Sequence, residues 1–214
     1  MVTLTPINMS HFSENTISDK QKELLLLLAD TKLGKLTGGT ALALQIGHRL
    51  SYDLDFVTDK KITSLNTSIL KKKLKSYNLT QLLETDTQYT AFADDIKITL
   101  FQDPIPTTHN SVFFKNAELV SIQDIFATKL YILGKRATWR DYCDIAICLD
   151  QEIVTLKEGI NEATQRYSIA ERWILEPMIY FDDIEMMPVE WIKKEYSEKQ
   201  IKEILQTAVN NYLQ

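Results

Sequence analysis

The chain has 214 residues, 44% hydrophobic and 25% charged, and carries a net charge of −5. Such a length and apolar content support one substantial core or two small ones and exclude a disordered chain, while the acidic balance argues against a protein that coats nucleic acid by bulk electrostatics. No apolar run reaches the length of a membrane span, the start Met1-Val2-Thr3-Leu4-Thr5-Pro6 lacks a basic region followed by a long apolar core, and Cys143 and Cys148 alone cannot form a zinc set. The expectation is a cytoplasmic protein with no membrane contact and reduced, buried thiols.

Residues 19 to 33 have the Leu-rich face of an amphipathic helix. Lys35-Leu36-Thr37 then reads as a short strand running into Gly38-Gly39, where missing side chains permit unusual dihedrals and the close approach of a ligand to the main chain. Thr40 is placed to cap a helix whose residues Ala41, Leu42, Ala43, Leu44 and Ile46 are almost wholly apolar up to Gly47. Its N-terminus carries partial positive charge, so the turn is open to phosphate.

After the connection His48-Arg49-Leu50-Ser51-Tyr52, residues Asp53 to Thr58 read as a strand. Period-two geometry sends Asp53 and Asp55 to one face and Leu54 and Phe56 into the core. Mg²⁺ favours a few carboxylates combined with phosphate oxygens and water, so paired acids beside a phosphate-binding turn are the minimal equipment for chemistry on a nucleoside triphosphate. Gly-Gly-Thr alone is an ordinary turn and Asp-x-Asp alone an ordinary surface strand. Their order, with a helix of fitting length between them, carries the reading.

A helix over 64 to 77 has the apolar side Leu65, Ile69, Leu70, Leu74 and Tyr77. The cluster Lys60, Lys61, Lys71, Lys72, Lys73 and Lys75 beside it is either a solvated face or an RNA backbone contact. Strands near 79 to 90 and 95 to 102 complete a small mixed sheet before Pro104 and Pro106 break the chain. From Ser121 the pattern is helical. Lys129 lies on one helix and Asp141 and Asp144 share a face of the next, so a helical hairpin either aims all three at a cleft or pairs them merely to close itself. Segments 153 to 167, 170 to 181 and 189 to 213 also read as helices, with Trp173, Tyr180, Trp191 and Tyr212 as core or lobe contacts.

The run Gly38 to Leu44, Gly47-His48-Arg49, Ser51 and Asp53-Leu54-Asp55-Phe56 resembles the signature of the AbiEii/AbiGii toxin family, and Lys129 followed by Asp141-Tyr142-Cys143-Asp144 agrees with its second block. That family belongs to the DNA polymerase β-like nucleotidyltransferases, includes the MenT toxins, and acts in toxin–antitoxin and phage abortive-infection systems. The resemblance implies an α/β (α+β) nucleotidyltransferase core over residues 1–105 and a mostly helical lobe over 106–214. It implies Mg²⁺ on Asp53 and Asp55, nucleotide phosphates on Gly38, Gly39 and Thr40, and a site completed by Lys129 with Asp141 or Asp144. Arg49 and Ser51 either contact the triphosphate or shape the loop through a salt bridge and a turn hydrogen bond; His48 is assigned to packing. The acceptor hydroxyl implied is on RNA, such as tRNA, or on protein, with growth arrest or phage defence as the outcome and a cognate antitoxin as a partner.

One position departs from the superfamily pattern. Lys97, Thr99 and Phe101 share a strand face, which puts Thr99 where a third carboxylate is expected, and a threonine cannot serve as base. Asp95 reaches in instead, Asp141 or Asp144 takes over, or the protein is a nucleotide-binding regulatory module with weak or no transfer.

Overall fold

The computed structural model describes residues 12–136 and 138–214; the extreme N-terminus, read above for the absence of a leader, lies outside them. After a 3-10 turn at Glu14–Thr16 the order is α1 (Asp19–Ala29), β1 (Lys35–Thr37), α2 (Gly38–Ile46), β2 (Leu54–Thr58), α3 (Ser64–Lys73), β3 (Leu79–Glu84), β4 (Gln88–Ala93), β5 (Ile96–Gln102), β6 (Val112–Phe114) and β7 (Ala117–Leu119). Five helices follow: α4 (Ile122–Arg136), α5 (Trp139–Asp150), α6 (Leu156–Tyr167), α7 (Arg172–Ile179) and α8 (Glu198–Leu213).

The strands form one mixed sheet in the order β3-β4-β5-β2-β1-β7-β6. β2 runs antiparallel to β1 and parallel to β5, and β1 is parallel to β7. The α/β expectation therefore holds, but the sheet does not stop at residue 105. The hairpin β6–β7, turned through Lys115 at φ 56°, adds two strands on the far side of β1. Strands of three residues are too short to show a period in sequence.

Helices α1, α3 and α8 are shorter than their apolar patterns suggest. Ser18 and Gln21 form a capping box that starts α1, but the Thr31 hydroxyl bonds the Leu28 carbonyl and Lys32 turns left-handed at φ 52°, so the helix ends at Ala29. α3 stops at Lys73, with Leu74 as its C-cap. α8 begins only at its Ser197–Gln200 capping box, because the chain before it is drawn alongside the loop after α2. There Leu50 N–H donates to the Glu190 carbonyl and Ile192 N–H to that of His48, around an Arg49–Trp191 bridge.

One sheet face is apolar. Leu54, Phe56, Ile98, Leu100, Tyr89 and Ala91 are buried there in a core shared with Leu24, Leu28, Leu70 and Leu74. The helices after the sheet pack by close approach, most sharply where Gly159 of α6 meets the Phe126 ring of α4: a Cβ at 159 would lie 2.2 Å from Phe126 Cε1. Cys143 and Cys148 are buried and unpaired, and burial pushes the Cys143 thiol up to about 12. Trp191 and Tyr212 pack against the core, whereas Trp173 and Tyr180 are each 55% exposed and are not core residues. No helix among the described residues is long and apolar enough to cross a membrane.

Gly159→Ala should force the fully buried Phe126 ring to move, at a cost of about 1–3 kcal/mol. Urea unfolding reads this directly, and a midpoint equal to that of the parent protein would contradict the close crossing.

Candidate active site

β1 ends at Thr37, and α2 begins at once with Gly38 at φ 68°, a conformation that glycine adopts without strain. Thr37 is the N-cap residue but makes no side-chain cap bond, so its side chain leaves the first-turn N–H groups of α2 uncapped. Thr40 is not the cap. It is buried, and its hydroxyl bonds Ser51 Oγ at 2.7 Å and the Asp53 carbonyl, stitching the glycine turn to the start of β2.

Asp53 immediately precedes β2 and Asp55 lies within it. The sheet register aligns Thr37, Asp55, Thr99 and Thr90 in one row across four strands. A Cβ on Gly38 would come 3.4 Å from Asp55 Oδ2, so the elbow and the acid are in contact distance. Burial raises the Asp55 carboxyl above its ordinary value and the Asp53 charge adds to this, while a Thr99 hydrogen bond, Lys97 and Arg136 act the other way. Thr99 thus lies directly across from Asp55 on the neighbouring strand, where a third acid is expected. Asp95 is not available there, being held by Lys20 at 2.6 Å.

Two cations missing from the sequence-derived site act on the pair, one of them in near contact. Lys97 Nζ lies 3.9 Å from Asp53 Oδ2, half exposed, and Arg136 ends α4 with its charge felt at Asp55. Lys97 was legible as sharing the Thr99 face; Arg136 had no local signal.

Lys129, Asp141 and Asp144 do come together, but in a buried cluster. Asp144 is fully buried and accepts His48 Nε2 and Arg49 Nε at 2.7 Å, Arg49 Nη2 at 2.9 Å and Lys129 Nζ at 2.8 Å. Four donors fill its acceptor capacity. Burial alone would push this carboxyl up, yet Arg49, Lys129 and the His48 bond hold it well below the usual range. Asp141 is equally occupied: one oxygen takes Lys129 Nζ at 2.7 Å, the other closes a capping box with Thr138 at the start of α5. The signal Thr138-x-x-Asp141 for that box was present in sequence. Burial keeps His48 neutral by lowering its pKa against the pull of Asp144.

This cluster reaches the elbow through Arg49. A Cβ on Gly39 would sit 2.5 Å from Arg49 Nη2, so the guanidinium is packed directly beneath the glycine turn. Its salt bridge to Asp144 is the loop-shaping alternative for Arg49. The loop is pinned further by Ser51 N–H to the Thr16 carbonyl and by Gln21 Nε2 to the Ser51 carbonyl.

No family model matches the chain. An uncharacterized protein of Aquifex aeolicus (strain VF5) is 27% identical over 184 residues, covering 84% of this chain and 87% of the other. Among solved structures, MenT4, a nucleotidyltransferase toxin from Mycobacterium tuberculosis H37Rv, superposes with a TM-score of 0.58 at 13% identity, covering 89% of this chain and 80% of that one. A putative nucleotidyltransferase from H. pylori gives a TM-score of 0.56 at 20% identity, covering 94% and 97%. The chain has the nucleotidyltransferase fold.

Because Asp55 is raised, its contribution to stability is present below the unfolded carboxylate pKa and is lost as pH rises through the folded value. Asp55→Asn should therefore raise the thermal midpoint at pH 7, by about 2–4 °C for each kcal/mol of relieved repulsion, and lose that advantage in acid. Asp144 has the opposite sign: its stabilisation is present above the unfolded pKa and lost only as pH falls through the depressed folded value. Asp144→Asn should cost about 3–5 kcal/mol by leaving Arg49 and Lys129 uncompensated. Differential scanning calorimetry at pH 7 separates the two; equal shifts in the same direction would overturn the assignment of one acid as open and the other as structural.

Proposed function

We propose that this protein is an NTP-dependent nucleotidyltransferase, in which an acceptor hydroxyl attacks the α-phosphorus, a new O–P bond forms and pyrophosphate leaves. The observation that carries the reading is the contact of the uncapped Gly38-Gly39 end of α2 with Asp55, beside Asp53. First-turn N–H groups of α2 hold phosphate oxygens, aided by the dipole. Lys97 and Arg136 neutralise charge building on the polyphosphate. Arg49, backed by Asp144 and Lys129, fixes the turn from beneath as a positioning residue.

The donor set fits Mg²⁺, since a half-buried carboxylate destabilised by its neighbour is relieved by a shared divalent cation. Asp53 and Asp55 would hold it, and when bound it supplies Lewis-acid charge at the transferring phosphate. With threonine at position 99, proton removal from the acceptor falls to the acid pair itself and to solvent.

The name of the MenT4 neighbour, a nucleotidyltransferase toxin, supports carrying the reading further: transfer to RNA such as tRNA, or to protein, in the cytoplasm, causing growth arrest or phage defence under the control of an antitoxin. A second reading rests on Thr99, that the protein binds NTP as a regulatory module without transferring it.

Labelled NTPs with Mg²⁺, total RNA and total protein distinguish these. Transfer to one acceptor class should fall at least about 10²-fold in Asp53→Ala and in Asp55→Asn, the scale of losing one preorganised electrostatic contact, and growth inhibition on expression should vanish with it. Calorimetric NTP binding without label transfer favours the module; neither binding nor transfer refutes both.

A further inference from the structure

A cavity of about 1000 Å³ opens at the C-terminal end of β2, about 16 Å along the strand from Asp53 at a rise of roughly 3.3 Å per residue. No part of the proposed transfer reaction uses it. Its apolar lining includes Leu33 after α1 and Ile105 in the segment after β5, with Phe113 of edge strand β6 on its border and 62% exposed.

Five cations line the same groove: Lys32, Lys35, Lys60, Lys61 and Arg166. Lys35 is engaged by Glu118 at 3.0 Å and Lys61 by Asp86 at 3.1 Å. Lys32 and Lys60 are exposed and have no carboxylate within ion-pairing distance among the described residues. Arg166, its side chain only 4% exposed, uses its Nη atoms on Asp103, Asp124 and the Ile105 carbonyl, but its buried Nε–H donates to nothing.

An occupant that carries a few anionic oxygens together with apolar bulk matches this lining. A polynucleotide carries a phosphate at every step, more charge than the two lysines without carboxylate partners among the described residues can match, and has no aliphatic side chains to cover Leu33 and Ile105. A free inorganic anion would leave the apolar wall and Phe113 uncovered. We propose that this groove binds an acidic, apolar peptide segment of a partner protein, with its carboxylates on Lys32 and Lys60 and its apolar side chains against Leu33, Ile105 and Phe113. The peptide lies beside the edge of the sheet and away from the acid pair, so it serves recognition rather than transfer.

The probe is a fluorescein-labelled octapeptide of alternating Glu and Leu, titrated against the full chain by anisotropy. An alternating Lys and Leu peptide, octauridylate RNA and sodium phosphate serve as competitors. Expected is binding that weakens about tenfold or more, 1.4 kcal/mol, in the double variant Lys32→Glu/Lys60→Glu and in Phe113→Ser, and that weakens as salt rises. All three positions are exposed, so unchanged melting curves should accompany the loss. Binding should persist in Asp53→Ala, which keeps this test independent of the transferase reading. The proposal is overturned by no binding at about 1 mM peptide, by equal binding in the Lys32→Glu/Lys60→Glu variant, or by displacement with the RNA or with phosphate alone.

Discussion

The buried carboxylate of Asp144 is the constraint on which the arrangement of the molecule rests. It has no contact with water and is satisfied only because α2's exit loop delivers His48 and Arg49 while α4 delivers Lys129. Removing any of these partners leaves charge in a low-dielectric interior, where it is expensive. The hub therefore locks the first helical hairpin after the sheet against the loop that precedes the acid strand. Because Arg49 then lies under Gly39, the same ion cluster sets the height of the glycine turn above the sheet.

The acid pair is the opposite kind of site. Asp53 and Asp55 are partly exposed, repel one another and, among the described residues, have no bidentate partner; Lys97 stands 3.9 Å from Asp53. Repulsion at the rim contrasts with complete neutralisation a short distance behind it. Standing across from Asp55 without adding a third negative charge, Thr99 keeps the face of β5 less acidic than a three-carboxylate site would be.

The two ends of β2 also differ in character. Toward its start the sheet offers acids against a helix end without a side-chain cap, and past its finish it offers cations against an apolar groove. A chain whose overall charge is −5 thus concentrates uncommitted lysines where the central strand leaves the sheet. In the lysine run near α3, Lys71 pairs with Glu84 and Lys73 with Asp30, whereas Lys72 and Lys75 are exposed and have no carboxylate within ion-pairing distance among the described residues.

The strand, glycine turn, helix and acid strand were legible in the chain because each rests on local physics: positive φ at Gly38, an apolar helix ended by Gly47 in the left-handed conformation, and period-two alternation through Asp53 and Asp55. Mixed α/β architecture followed from the same patterns. Spacing alone left open whether Lys129, Asp141 and Asp144 face a cleft or each other, since that depends on how α5 is rotated and on what His48 and Arg49 bring from about a hundred residues away. Equally hidden were β6 and β7, too short to show a period, the late start of α8, displaced by pairing across to Leu50, and the placement of Arg136 near Asp55. Sequence determined which segments bend, coil or extend; only the tertiary structure decided which charges are neutralised, because neutralisation requires partners that meet in space without being neighbours in the chain.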